Sequence, residues 1–219
     1  MSRVLVTGSN RGIGLELCRR YAERGYEVLA ACRNGSPALQ ALGVRIVPEV
    51  DVADDSCVRR LEAALGADSL DLLINNAGIL RRDPGGGPDL DDIRAHFEVN
   101  TFGPIRVTLG LAGRLAAGSK VGIITSLMGS IDDNGSGGSY AYRLSKAAVN
   151  MAGVNLAHDL RARGIPVVLL HPGMVATEMT GGRGITVERS VAGLMERLDA
   201  LNMSETGSFW HADGRRLAW

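Results

Sequence analysis

Short apolar runs alternate along the chain with longer segments in which apolar residues recur every three or four positions. Residues 3–7 (RVLVT), 27–32 (EVLAAC), 44–50 (VRIVPEV), 70–75 (LDLLIN), 120–126 (KVGIITS) and 165–172 (IPVVLLHP) are rich in leucine and β-branched residues and are bounded by turn formers, so they predict strands. The helical period predicts helices over 12–24, 54–66, 89–117, 139–163 and 187–201, the last followed by a short segment, GSFWHADG, at 207–214. Strands that are apolar throughout are buried on both faces, as in a parallel sheet covered by helices. The β-α alternation therefore predicts an α/β chain with a doubly wound parallel sheet and right-handed crossovers, forming a single domain over 1–219. Such sheets bind ligands at the carboxyl ends of their strands, which directs attention to the loops after Val6, Ala31, Val50, Ile74, Ile124 and Leu170. The Gly/Pro-rich stretch 83–89 (DPGGGPD) reads as a flexible loop inside that domain.

Composition narrows the function classes. The formal net charge is zero, with 24 basic and 24 acidic residues, so there is no electrostatic case for a nucleic-acid or anionic-membrane partner. No apolar run approaches the roughly 20 residues of a membrane span. The chain enters its first strand almost at once, which argues against a signal peptide and for a cytoplasmic location. Cys18, Cys32 and Cys57 are odd in number and have no metal or redox spacing, so they read as reduced thiols. His96, His158, His171 and His211 are scattered, and no metal is expected.

Two stretches carry chemistry. Residues 7–14, TGSNRGIG, follow the first strand and open the first helix. Glycines there let the backbone approach a pyrophosphate, and helix N-terminal N–H groups favour its charge. The plainer alternative is a tight strand–helix connection. Further on, SYAYRLSKAA (139–148) holds two tyrosines and a lysine. At about 100° per helical residue, Tyr142 and Lys146 share a face about 40° apart, whereas Tyr140 points roughly 120° away from the lysine. The geometry nominates Tyr142 and puts Tyr140 at the helix start, lining the pocket mouth or the preceding Gly-rich loop.

The glycine spacing G-x-x-x-G-x-G, with NNAG (75–78), VNTFG (99–103), IITS (123–126), YRLSK (142–146) and HPGMVAT (171–177), resembles the short-chain dehydrogenase/reductase family, with its Rossmann-like fold. AYRLSKAAVNM and the closing GSFWHADGRRLAW are most similar to its small carbonyl-reductase-like members, the C-factor and sniffer types. The resemblance implies a catalytic set of Asn100, Ser126, Tyr142 and Lys146. It implies a dinucleotide held by Gly8, Asn10, Arg11, Gly12, Ile13, Gly14, Arg33, Asp51, Val52, Asn76, Ala77, Gly78, Tyr142, Lys146, Pro172, Gly173, Val175 and Thr177. In the family the lysine also holds the nicotinamide ribose and the asparagine holds a water that relays protons.

These residue types suit a carbonyl reduction. A free tyrosine ionises near about 10, and a neighbouring ammonium favours the phenolate, so Lys146 is expected to lower the Tyr142 pKa. Ser126 can donate a hydrogen bond to the substrate oxygen. NAD-preferring enzymes of this fold place an acid after the second strand, about 20 residues past the glycine turn. Here no Asp or Glu occurs between Val28 and Pro48, and Arg33 stands at that place; with Arg11 it suits the 2′-phosphate of NADP(H). Asp51 matches the family residue beside the adenine, or else caps a helix. Topology frames the substrate pocket with Leu80, Ser126, Met128, Tyr142, Gly173 and Met174, an adaptable apolar wall. The short 178–189 segment suggests a reduced lid. His158 and His171 read as structural.

The expected function is an NADP(H)-dependent reductase of aldehydes or ketones, acting on a small molecule as a homodimer. Its alternative is a dinucleotide-binding regulatory or signalling protein with little turnover, for which an intact Ser126–Tyr142–Lys146 set would be superfluous. A nucleotide-sugar epimerase or dehydratase is disfavoured by the small C-terminal portion. Apolar residues beyond one helix face, namely Ala147, Ala148, Met151, Val154 and Leu156, support the dimer.

Overall fold

A computed structural model describes residues 2–81 and 88–219; most of the 83–89 stretch lies outside the described residues. Seven parallel strands form one sheet in the order β3-β2-β1-β4-β5-β6-β7. They are β1 (Arg3–Thr7), β2 (Glu27–Ala31), β3 (Arg45–Val47), β4 (Leu70–Asn75), β5 (Leu115–Ile124), β6 (Val167–His171) and β7 (Ser208–His211). The helices are α1 (Gly12–Glu23), α2 (Pro37–Gln40), α3 (Ser56–Leu65), α4 (Leu90–Phe97), α5 (Gly103–Gly110), α6 (Tyr140–Arg161) and α7 (Val187–Ala200). The strand order reverses between β1 and β4, which opens a crevice at their carboxyl ends.

Strand alternation divides the core into two layers. Leu5, Leu29, Leu73 and Val121 face α3, α5 and α6, where Leu61, Val107, Val149 and Leu156 pack on them. Val4, Val28, Leu72 and Val168 face the other way, against Leu17 and Tyr21 of α1 and Leu194 and Leu198 of α7. Leu156 is thus a core residue and drops out of the apolar surface expected for a dimer; Met151 is 63% exposed and stays in it.

Five elements depart from the sequence reading. The helix expected over 89–117 is α4, a π turn (Glu98–Phe102), α5 and a 3₁₀ turn (Ala112–Arg114). The break coincides with buried polar Asn100, and Pro104 supplies no N–H at the start of α5. β5 starts at Leu115 and not at 120, with a register shift between Leu70 and Leu72; Ser119 Oγ bridges that irregularity, accepting from Ala116 N–H (2.9 Å) and donating to Leu70 O (2.6 Å). β3 stops at Val47 because Pro48 has no N–H and Glu49 is left-handed (φ 58°). The closing segment supplies a seventh strand, β7, and the connection after β2 holds the short α2, capped by Ser36 and begun by Pro37. Among the described residues, no helix is long and apolar enough to cross a membrane.

Candidate functional site

The glycine turn is fastened to the end of β4. Thr7 Oγ1 accepts from the N–H groups of Asn76 (3.0 Å) and Ala77 (3.1 Å), and Asn76 Nδ2 donates to the carbonyls of Thr7 (2.9 Å) and Gly8 (3.0 Å). Asn76 is therefore a strut, with its amide committed to the turn itself. A Cβ on Gly14 would lie 2.2 Å from Gly8 O, so the turn closes on itself only with glycine there. Arg11 is the N-cap of α1, and no side chain caps that end, so the first N–H groups of the helix remain available to an anion. This cradle fits a dinucleotide pyrophosphate beside Asn10, Gly12 and Ile13. Thr177 closes the far side, its γ-methyl 3.4 Å from where a Cβ on Gly12 would stand.

Beyond the turn lie the residues expected to choose the cofactor. Arg33 is exposed and forms no ion pair among the described residues. Arg11 is not available in the same way: its guanidinium lies 2.5 Å from Glu178 across the crevice, a partner invisible to a local reading. Asp51 does not cap a helix, for the N-cap of α3 is Asp55; its Oδ1 accepts from Ala53 N–H (3.0 Å) and so shapes the turn after β3. Val52 is buried against Gly103.

Across the crevice, Ser126 at the end of β5 and Tyr142 and Lys146 on α6 are all buried. Lys146 Nζ lies 5.8 Å from the centre of the Tyr142 ring and donates to Ile124 O (3.0 Å). Gly129 permits this packing: a Cβ there would stand 2.6 Å from the Lys146 carbonyl carbon, so the turn after Ser126 lies directly on α6. Asn100, in the π turn, holds Ile79 through both backbone groups (2.8 and 3.0 Å) and donates to Ser145 Oγ (3.0 Å), which donates to Tyr142 O (2.8 Å). One asparagine thus ties the end of β4 to the helix turn carrying the tyrosine. Tyr140, the first residue of α6, is 52% exposed and takes no part in this cluster.

Sequence reasoning missed two supports. His96 is buried with its ring 6.3 Å from that of Tyr142. Its Nδ1 lies 2.8 Å from Asp92 O and so carries the proton, leaving Nε2 to accept from Arg81 N–H (3.2 Å). Asn150, one turn beyond Lys146, accepts from Thr125 Oγ1 (2.6 Å) and donates to Gly129 O (3.3 Å). An i,i+4 Lys-Asn spacing on a predicted helix was the available signal for the second; His96 had none.

Burial governs the electrostatics. It pushes the Lys146 ammonium down to about 8. Burial also pushes the Tyr142 phenol above its ordinary value, with Ser126 pulling the other way. The net direction is opposite to the one expected from the Tyr–Lys spacing, because spacing does not count desolvation.

The turn after β6 completes the site. Pro172 O accepts from buried Ser190 Oγ (2.7 Å), and Gly173 is left-handed (φ 84°). Val175 is buried, and Met174 is 54% exposed at the mouth. Leu80 and Met128 lie half-buried on the facing loops. His171 sits against His211, ring centres 4.9 Å apart, and burial pushes it down to about 4, so it is neutral. His158 is exposed on α6 and has no part in the core.

Known proteins resemble this chain in sequence and in fold. The family profile described as short chain dehydrogenase matches residues 2–187. A 1-hydroxy-2-glutathionyl-2-methyl-3-butene dehydrogenase of Rhodococcus sp. (strain AD45) is 44% identical over 226 residues, covering 100% of each chain. The C-signal protein of Myxococcus xanthus is 42% identical over 155 residues, covering 68% of this chain and 93% of its own. The structure of an NADPH-bound carbonyl reductase from chicken fatty liver superposes with a TM-score of 0.90 at 31% identity, covering 100% of this chain and 99% of that one.

Proposed function

Because the chain belongs to the short-chain dehydrogenase family, we propose that it interconverts a carbonyl compound and its alcohol with NADP(H), within one catalytic domain. The observation that carries this reading is the buried Ser126–Tyr142–Lys146 cluster facing the glycine turn across one crevice. When bound, the dinucleotide supplies or accepts a hydride. Ser126 orients the substrate oxygen, and Tyr142 gives it a proton as the carbon is reduced. Lys146 stands behind the phenol, and Asn100 keeps the helix turn in register. Exposed Met174, Met179 and Ile131 on the connections around the crevice, with Tyr140 at the start of α6, suit a substrate with an apolar body. The unpaired thiols of Cys18, Cys32 and Cys57 support a cytoplasmic location.

A second reading concerns direction and substrate. The Rhodococcus relative is named for oxidising an alcohol that bears a glutathionyl group. Its full-length match favours testing bulky thioether alcohols beside simple carbonyls. The test is a screen of NADPH consumption over aldehydes, ketones and quinones, run with the reverse oxidation of alcohols including glutathione conjugates. Cofactor binding without turnover on any of them would favour a regulatory protein.

Two outcomes follow from named residues. Lys146 is protonated below about pH 8 and loses its charge as the pH rises through that value. The kcat/KM for reduction should therefore hold below about pH 8 and fall above it. Lys146→Arg, which keeps its charge, should be slower but lack that alkaline limb. A wild-type profile flat to pH 10 would contradict the assignment. The second outcome concerns assembly. Phe102 in the π turn, Leu109 on α5, and Leu144 and Met151 on α6 are large apolar residues left exposed, and we read them as a homodimer face. Light scattering at micromolar concentration should give a dimer, and Met151→Glu a monomer; a monomeric wild type would end this reading.

A further inference from the structure

The ion pair between Arg11 and Glu178 joins the two walls of the cofactor crevice. Arg11 is the N-cap of α1, a 12-residue helix whose N-terminus faces the crevice. Glu178 opens the 3₁₀ turn after Thr177. Neither backbone is free to drift. Thr180 Oγ1 accepts from Thr177 N–H (3.2 Å) and donates to Val175 O (2.6 Å). On the opposite wall, Ser36 Oγ donates to Asn10 O (2.7 Å) and steadies the residue before Arg11. The Glu178 carboxylate is therefore presented to a cation beside a helix N-terminus, as a phosphate would be.

We propose that Glu178 competes with the 2′-phosphate of NADP(H) for Arg11, and so sets how strongly the protein discriminates between the two nicotinamide dinucleotides. This rests on the cofactor reading above. An arginine is always charged, and a carboxylate already on it weakens its pull on a second anion. The phosphate therefore meets the charge of Glu178 at Arg11, whether it displaces the carboxylate or shares the guanidinium with it. Displacement is feasible because the pair is open to water, with side chains 69% and 76% exposed, and such pairs are weak. NADH carries no 2′-phosphate and leaves the pair undisturbed. A carboxylate that instead clasped the bound pyrophosphate through Arg11 would help both cofactors alike.

The test is fluorescence titration of the full chain with NADPH and NADH. Glu178→Gln keeps the size of the side chain and removes its charge. It should tighten NADPH about two- to fivefold, leave NADH unchanged, and do so less at high salt. In an Arg11→Met background the same substitution should have no effect on either cofactor. Equal changes for both cofactors, no change for NADPH, or an effect that survives Arg11→Met would each overturn the proposal. A wild type that binds neither dinucleotide would instead refute the cofactor reading, and this proposal with it.

Discussion

Tyr142→Phe should lower turnover by about 10²–10⁴ while leaving NADPH binding nearly intact. The substitution removes one hydroxyl from a buried ring and keeps its packing against His96 and over Lys146. What is lost is the proton donor, so the effect should fall on kcat. The phenol is hard to ionise in its buried setting, which suits a group that must hold its proton until the substrate oxygen gains charge. Tyr140→Phe is the control. That residue lies two positions earlier on the same helix, is half exposed and takes no part in the buried cluster, so it should change turnover severalfold at most. If Tyr142→Phe kept more than about a tenth of wild-type kcat while Tyr140→Phe abolished it, the helix geometry and the family alignment would both be refuted.

Arg33→Asp should weaken NADPH roughly ten- to a hundredfold and improve NADH. One charge-assisted phosphate contact is worth about 1.5–3 kcal/mol, and the new carboxylate stands where NAD-preferring enzymes of this fold hold the ribose hydroxyl. Arg33 should matter more than Arg11, because Arg33 forms no ion pair among the described residues and Arg11 is held by Glu178. Parallel titrations of the wild type and the variant with each cofactor decide the matter. A wild type that binds NADH as tightly as NADPH would show that these two cations do not select the phosphate.

Much of this fold is legible in the amino-acid sequence. Runs such as 3–7 and 70–75 are apolar on both faces, and that can be satisfied only between two layers of helices; β1 and β4 are there at the expected residues. Pro48 was a readable stop for β3 that the hydrophobic run concealed. The π turn around Asn100 was not readable in its extent, since an extra residue in one turn barely disturbs a helical period. β7 spans only four residues, too few for alternation to distinguish a strand from a turn.

The sequence by itself determined what covalent geometry propagates over one or two turns. It determined the glycine turn that opens α1, the shared face of Tyr142 and Lys146, and the order of loops along the sheet edge. Only the tertiary structure decided what those groups experience. Lys146 reads as a plain cation from its spacing, but burial between β5 and α6 brings its pKa to about 8. Arg11 reads as a phosphate ligand, but it meets a carboxylate 167 residues away. Periodicity is local, whereas desolvation and ion pairing depend on which distant segments the fold brings together.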